Sequence, residues 1–421
     1  MMTSAAPAEP FVVDLNHSRT ALQVHTEAQV LYTHIAVRPP ARDDAVPAPP
    51  LNMCLVLDRS TSMTGERLDT ARSSAVEVIR LLRPQDRFGL VTFSDKAELL
   101  IPSDAHLSPT AANSRLSEIQ TSGATEILKG LRAGMEEVRR GAVGGTIDHL
   151  ILITDGRTYG DEQACMDLAD EAALEGIEIT AIGVGEAWND IFLDALAAKT
   201  GGQAVYIENI STLNRMLKQK FRELGLVYAD QISLVIDTAP GVMLQSSFRT
   251  SPAPTPLPGG TTLRLGSLFS GTSLSLLLQF VISTIPEPLA SFEVCTMHFG
   301  AHLAQTNMHL KSSLALSFPV LKEAAPAPIS GQLLTAARSV NLYHLQEKAL
   351  SDARSGDAEL GTRRLNRLAT QLLEIGQGEL AQSVIAEAEA LAQDHKLSER
   401  GQKRVKYGTR ALLEAHAEGP R

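Results

Sequence analysis

The chain has 421 residues, more than a single hydrophobic core usually organises, so two or three domains are expected. Hydrophobic residues make up 44% and charged residues 20%, which is ordinary for a globular protein. The formal net charge is −10 and no block of Lys and Arg stands out, which excludes the concentrated basic face of a nucleic-acid-binding protein.

Cysteine content and apolar runs bear on the compartment. Cys54, Cys165 and Cys295 are odd in number and far apart, so neither a disulfide framework nor a zinc site is predicted. The start, MMTSAAPAEPFVVDL, lacks the basic residues and continuous apolar stretch of a secretion signal. The most apolar later run, LSLLLQFVI, is too short to span a bilayer. We therefore expect a cytoplasmic protein with no membrane span.

The first predicted elements are strands. Residues 11–38 alternate apolar and polar side chains with period two, and the Pro-rich stretch RPPARDDAVPAPP then interrupts the pattern. Such a stretch joins neither a helix nor a central strand, so it is interpreted as a linker.

Strands and helices then alternate as far as residue 225. The strands are apolar throughout, which is typical of strands buried on both faces of a parallel sheet. We predict strands at 52–58, 87–94, 96–101, 149–155, 177–185 and 203–207, and helices at 66–82, 111–120, 126–140, 162–175, 191–199 and 210–224. The fold class expected for residues 49–225 is α/β, with a doubly wound, mostly parallel sheet.

Strand patterns with Gly, Ser and Pro turns return between residues 227 and 319, which indicates an antiparallel β-sandwich. The early strands need partners, so we predict one sandwich, residues 10–48 and 226–320, split around the inserted α/β domain. A second Pro-rich piece, EAAPAPISG, precedes a tail at 330–417 with apolar residues at helical spacing. Three or four short amphipathic helices are expected there.

Polar side chains collect where the central strands of the α/β domain end. Asp58 closes the run NMCLVLD, with Ser60 and Ser62 after it, and Asp155 closes HLILITD. Thr125 lies in the loop TSGATEIL, ahead of a helix. Ligands of open α/β sheets bind outside the carboxyl ends of the strands, so all five should converge on one edge. Helix capping by the hydroxyl residues is the structural alternative.

The three segments DRSTS at 58–62, GAT at 123–125 and TDG at 154–156 resemble the von Willebrand factor A family. The resemblance covers roughly residues 49–225. It implies a metal-ion-dependent adhesion site whose metal-site residues are Asp58, Ser60, Ser62, Thr125 and Asp155. By analogy with the family, the hydroxyls ligate directly and the two carboxylates act partly through water. Thr61 departs from the family pattern, where many members carry Gly, but it lies between ligands.

The ligand set indicates Mg²⁺, with Mn²⁺ or Ca²⁺ as alternatives, because hard cations take oxygen ligands. Two carboxylates leave such a cation able to attract an outside anionic oxygen, and in the family an Asp or Glu of the partner fills that position. Arg59 and Arg157 are predicted at the rim, where they would favour an acidic partner or remain solvated. Self-association through a neighbouring subunit's carboxylate is a further option.

The functional prediction is a non-enzymatic scaffold or adaptor in an intracellular bacterial complex. The chain has no P-loop and no G-x-S-x-G elbow, and no general base is identifiable beside Asp58 and Asp155. The alternative is a regulatory subunit of an AAA+ ATPase-driven or metal-dependent hydrolytic complex. Extracellular adhesion is disfavoured by the unpaired cysteines and the start of the sequence.

Overall fold

The computed structural model describes residues 11–24, 27–40, 48–103, 108–158, 160–257, 262–285, 287–324 and 328–417. Its strands are β1 (Val12–His17), β2 (Leu22–Gln23), β3 (Gln29–Arg38), β4 (Leu51–Asp58), β5 (Arg87–Phe93), β6 (Ala97–Ile101), β7 (Ile147–Thr154), β8 (Glu178–Val184), β9 (Ala204–Ile207), β10 (Val227–Thr238), β11 (Val242–Ser251), β12 (Thr255–Pro256), β13 (Thr262–Phe269), β14 (Leu274–Ile282), β15 (Phe292–Leu303), β16 (Met308–Phe318) and β17 (Val320–Leu321).

Its α-helices are α1 (Glu66–Ile79), α2 (Pro109–Ser117), α3 (Ile127–Gly141), α4 (Glu162–Glu175), α5 (Asp190–Lys199), α6 (Leu213–Leu224), α7 (Gly331–Ser355), α8 (Ala358–Glu374), α9 (Gly378–Asp394) and α10 (Glu399–Ala417). Short 3-10 turns precede α1 and α6, at Thr61–Met63 and Ile210–Thr212. None of the helices in the described part of the chain combines the length and the apolar character needed to cross a bilayer.

The chain divides into two compact units. One contains β4 to β9, α1 to α6, the first residues of β10 and the short segment His302–Met308. The other contains β1 to β3, the remainder of the later strands and α7 to α10.

The α/β unit is built on a sheet with the order β6-β5-β4-β7-β8-β9. Every neighbouring pair is parallel except β5 with β6, where the chain turns back antiparallel. The predicted doubly wound, mostly parallel sheet is therefore confirmed. Its central strands are apolar because both faces are covered, and all eight residues of β4 are buried.

The switch in strand order lies at β4, which pairs with β5 on one side and with β7 on the other. The register places Leu57 opposite Ile153. The carboxyl ends of these two strands therefore stop at the same level, which is where open α/β sheets bind ligands.

Several predicted helix limits differ from the structure by one to three residues, among them the start of α2 and the end of α1. Helix α2 begins at Pro109, two residues before the predicted start. The Ser108 hydroxyl caps it by accepting a hydrogen bond from the Ala111 amide at 3.2 Å, and proline is favourable at the first helical position. Helix α1 ends at Ile79, three residues before the predicted end, and only residues 80 and 81 continue as turn.

In the other unit, a sheet with the order β1-β3-β14-β11-β12 joins strands that precede the α/β unit in the sequence to strands that follow it. β3 pairs antiparallel with β14 over nine residues, from Leu274 opposite Val37 to Ile282 opposite Gln29. The second sheet has the order β13-β10-β15-β16. The Phe11 and Phe299 rings, 6.1 Å apart, link the two sheets. This pairing supports the split sandwich, and the domain limits 10–48, 226–320 and 330–417 stay predictions.

The tail helices are longer than expected, since α7 has 25 residues and α8 and α9 have 17 each. They share one apolar core, which also includes Phe248 of β11, whose ring centroid lies 4.9 Å from that of Tyr343. Leu333 and Ala336 of α7 pack on Leu277 of β14, so the helix covers part of this strand.

Close packing of α3 on the sheet positions the loop that precedes this helix. A Cβ atom added at Gly134 would lie 2.4 Å from Cγ2 of Val56 and 2.9 Å from Cδ1 of Leu150. A Cβ atom added at Gly130, one turn earlier, would lie 2.6 Å from Cδ1 of Phe93. The glycines therefore allow α3 to lie against β4 and β5.

We predict that Gly134→Val lowers the free energy of unfolding by about 1–3 kcal/mol, because the buried strands cannot make room for two added branches. The control is Gly378→Val in α9, where an added Cβ meets nothing within 4 Å. Thermal unfolding of both variants checks this. Equal melting temperatures for G134V and wild type would show that the helix–sheet contact is looser than described.

Candidate metal centre

The predicted site residues come from three loops at the carboxyl edge of the parallel sheet. Asp58 is the last residue of β4, and Asp155 directly follows β7. Thr125 lies two residues before α3. Because β4 and β7 are adjacent and parallel, their last residues are brought together by the sheet itself.

Hydrogen bonds connect four of the five residues. The amide of Ser60 donates to Oδ1 of Asp58 at 2.7 Å. The hydroxyls of Ser60 and Ser62 are 3.0 Å apart, and the Ser62 hydroxyl donates to Oδ1 of Asp155 at 2.5 Å. The alternate spacing in the sequence therefore points both serine hydroxyls into one network that joins the ends of two strands.

Thr125 reaches the same place from the third loop. A Cβ atom added at Gly156 would lie 2.6 Å from Oγ1 of Thr125. The Thr125 hydroxyl thus lies against the backbone of the residue that follows Asp155. A side chain at position 156 would fill this space, so the glycine of the TDG segment lets the two loops meet.

Neither carboxylate has exposed surface: Asp58 and Asp155 are both 0% exposed. Burial raises the pKa of the Asp58 carboxyl to about 6. Hydrogen bonds from Thr154 and Ser60 oppose the shift, and the charge of Asp155 adds to it. A buried carboxylate that is costly to ionise marks a functional site when a cation is there to compensate it.

Sequence reasoning missed two residues that contact these carboxylates. The Thr154 hydroxyl donates to Oδ2 of Asp58 at 2.6 Å. Arg67, in the first turn of α1, forms an ion pair with Oδ2 of Asp155. Thr154 was adjacent to a predicted site residue and could have been included. Nothing in the sequence pairs Arg67 with a residue 88 positions away.

The two predicted rim residues are both anchored. The guanidinium of Arg59 donates to the Ser122 hydroxyl at 2.8 Å and lies 3.7 Å from Glu98, and its side chain is only 16% exposed. Arg157 is exposed, and its Nε donates to the carbonyl of Ala187 at 2.8 Å. Arg59 therefore braces the loop ahead of Thr125. A rim role toward a partner stays a prediction for both.

The donor set fits a hard divalent cation. Octahedral Mg²⁺ with bonds of about 2.0–2.1 Å keeps neighbouring ligand oxygens about 2.9 Å apart. The Ser60 and Ser62 hydroxyls already stand 3.0 Å apart. Among the described residues, no group of three or more His, Cys, Asp or Glu side chains converges on one point. The arrangement is one of hydroxyls with two carboxylates, which suits Mg²⁺ better than a metal that prefers nitrogen or sulfur ligands.

Comparisons with known proteins identify the fold of this unit. Residues 52–219 match the family model for the von Willebrand factor type A domain. The α/β unit has the von Willebrand factor A fold. Residues 331–415 match the model for the Sll0103-like, C-terminal alpha-helical domain.

The similarity to individual proteins extends beyond the von Willebrand factor A region. The uncharacterized protein sll0103 of Synechocystis is 28% identical over 323 residues, which are 74% of this chain and 76% of that protein. The structure of a von Willebrand factor type A protein from Catenulispora acidiphila has a TM-score of 0.77 at 15% identity, covering 97% of this chain and 98% of that one. The structure of the ArnB paralog VWA2 from Sulfolobus acidocaldarius has a TM-score of 0.61 at 17% identity, covering 96% of this chain and 99% of that one. At these identities the two structures show the fold alone.

We predict that Asp58→Asn stabilises the metal-free protein at neutral pH. The folded-state pKa lies near 6, above the ordinary value, so folding is favoured when the carboxyl is protonated and stability is lost as the pH rises toward 6. At pH 7 the amide, which can keep the Ser60 contact through its oxygen and donate to the Thr154 hydroxyl once that hydroxyl rotates, should raise the free energy of unfolding by about 1–3 kcal/mol, and the gain should vanish below about pH 4.

Thermal unfolding of the EDTA-treated variant across this pH range measures the effect. Asp69→Asn, which removes an exposed carboxylate from α1, is the matched control and should show no such pH dependence. Destabilisation of D58N at pH 7 without metal would contradict the electrostatic argument.

Proposed function

We propose that the protein binds partner proteins through a divalent cation held by Asp58, Ser60, Ser62, Thr125 and Asp155. The observation that carries the proposal is the hydrogen-bonded chain from Ser60 through Ser62 to Asp155, with both carboxylates fully buried. Helix capping accounts poorly for this arrangement. The Ser60 side chain makes no capping hydrogen bond to the turn at Thr61–Met63, and Gly65 is the N-cap of α1.

Charge balance favours an acidic group as the external ligand. Hydroxyl ligands add no charge, and two carboxylates that act partly through water compensate a divalent cation incompletely, so a further anionic oxygen is attracted. When bound, the cation would supply an electrophilic position for an Asp or Glu of the partner. Mg²⁺ is the proposed ion, with Mn²⁺ or Ca²⁺ as alternatives, because carboxylate, hydroxyl and water oxygens suit all three.

The chain's own residues would hold the loops in place around this position. Thr154 fixes one oxygen of Asp58, and the Ser60 amide fixes the other. Arg59 ties the end of β4 to the loop at Ser122, just ahead of Thr125. These contacts keep the three loops together, which lowers the ordering cost when a partner binds.

We infer a binding protein and not an enzyme, since both carboxylates are engaged and buried. A general base must reach the proton it abstracts, and each oxygen of Asp58 and Asp155 already accepts a hydrogen bond or ion pair within the protein. The sandwich and tail helices would then serve as scaffold in a larger complex. A cytoplasmic location stays a prediction based on the sequence.

A pull-down from lysate of the source organism tests the proposal, with Mg²⁺ compared with EDTA. Baits are wild type, Asp58→Ala and the matched control Asp69→Ala, whose carboxylate is exposed and pairs with Arg72. We expect partners to be retained with Mg²⁺ by wild type and D69A, and lost with EDTA or D58A. Calorimetric titration of MgCl₂ should detect binding to wild type and D69A but not to D58A.

Recovery of the same proteins in every sample would overturn metal-bridged binding. A captured AAA+ ATPase whose activity changes with the bait would favour the regulatory-subunit alternative. Light scattering of the purified chain with and without Mg²⁺ separates self-association from capture of another protein.

A further inference from the structure

Arg67 forms an ion pair with Asp155, one of the residues proposed to hold the cation. Asp155 is 0% exposed, and its Oδ2 is paired with Nη1 of Arg67. The same Nη1 donates to the Ser62 carbonyl oxygen at 3.3 Å. A positive group of the protein therefore contacts two of the residues proposed to hold a cation.

The position of Arg67 on its helix is electrostatically unfavourable. It occupies the first turn of α1, where the helix dipole favours acidic side chains, and Glu66 and Asp69 occupy the same turn. Pairing with the buried carboxylate of Asp155 compensates this placement. The guanidinium also lies beside the loop after β8, since a Cβ added at Gly185 would be 3.1 Å from Nη2 of Arg67.

We propose that Arg67 is a built-in counter-ion that competes with the divalent cation for Asp155 and so sets the metal affinity of the site. The inference rests on the proposed function. A divalent cation and a guanidinium that contact the same carboxylate repel each other. Once one of them neutralises the carboxylate, the carboxylate attracts the other less strongly. Metal binding would therefore displace the guanidinium from Asp155.

Arg67 has room for this displacement. Its side chain is 41% exposed, whereas that of Asp155 is fully buried, so the arginine can move to solvent while the carboxylate stays. The buried carboxylate is thus neutralised in both states, by arginine without metal and by the cation with it. This exchange avoids an unpaired buried charge, which would strongly destabilise the loops.

Titration of MgCl₂ into the EDTA-treated full chain, followed by calorimetry, tests the inference. Arg67→Gln removes the charge, and we expect Mg²⁺ to bind about tenfold more tightly, equivalent to about 1.4 kcal/mol. Arg67→Lys keeps the charge and should bind within a few-fold of wild type. The matched control, Arg80→Gln, removes a positive charge about 20 Å away along the same helix and should leave the affinity unchanged.

The outcomes separate the inference from the proposed function. Equal or weaker Mg²⁺ binding by R67Q, with binding by wild type intact, overturns competition and leaves metal-bridged binding standing. Binding by R67Q alone supports competition and overturns the proposed function of the wild-type chain. Absence of binding by both overturns the two together.

A measurement on the wild-type chain covers the case in which R67Q does not fold. The Nε–Hε resonance of Arg67, assigned by its disappearance in R67K, reports the guanidinium environment directly. Addition of MgCl₂ should shift it toward the position of solvent-exposed arginines. A resonance that stays unchanged at saturating Mg²⁺ overturns the displacement.

Discussion

The adjacency of β4 and β7 is the constraint on which the site depends. Their parallel register holds Leu57 opposite Ile153, so the residues that follow, Asp58 and Thr154, meet at one level of the sheet. No loop conformation has to be selected to bring them together, because the backbone ladder of two buried strands does so. The serines and Thr125 are then added by loops that connect these strands to the flanking helices.

Burying two carboxylates side by side costs free energy, and the structure shows how the cost is reduced. Asp58 accepts hydrogen bonds from the Ser60 amide and the Thr154 hydroxyl, yet its pKa is still raised to about 6. Asp155 accepts from Ser62 and is paired with Arg67. The two acids are thus compensated differently, one by neutral donors and one by a charge. Buried charged groups that lower the stability of the fold in this way are typical of functional sites.

The rest of the unit supplies rigidity. Gly130 and Gly134 bring α3 against the sheet, and this helix carries the loop of Thr125 at its start. Outside this unit, β3 joins β14 across more than two hundred residues of sequence, and α7 covers the outer face of β14 at Leu277.

Local sequence patterns were enough to predict the strand and helix order, because apolar runs buried on both faces and helical spacing are visible without knowledge of partners. The same patterns placed Asp58, Ser60, Ser62, Thr125 and Asp155 at one edge of the sheet, and the resemblance to the von Willebrand factor A family assigned them as a metal-binding set. Their ligation of a metal stays a prediction.

The charge partners were decided only by the tertiary structure. Arg67 pairs with Asp155 and Arg59 donates to Ser122, because the fold brings these acceptors from distant loops within reach of long, flexible side chains. The start of α2 depended on one hydroxyl at Ser108, and the length of the tail helices depended on their shared core. Sequence determines which groups stand at the edge of the sheet, whereas packing determines which of them neutralise one another.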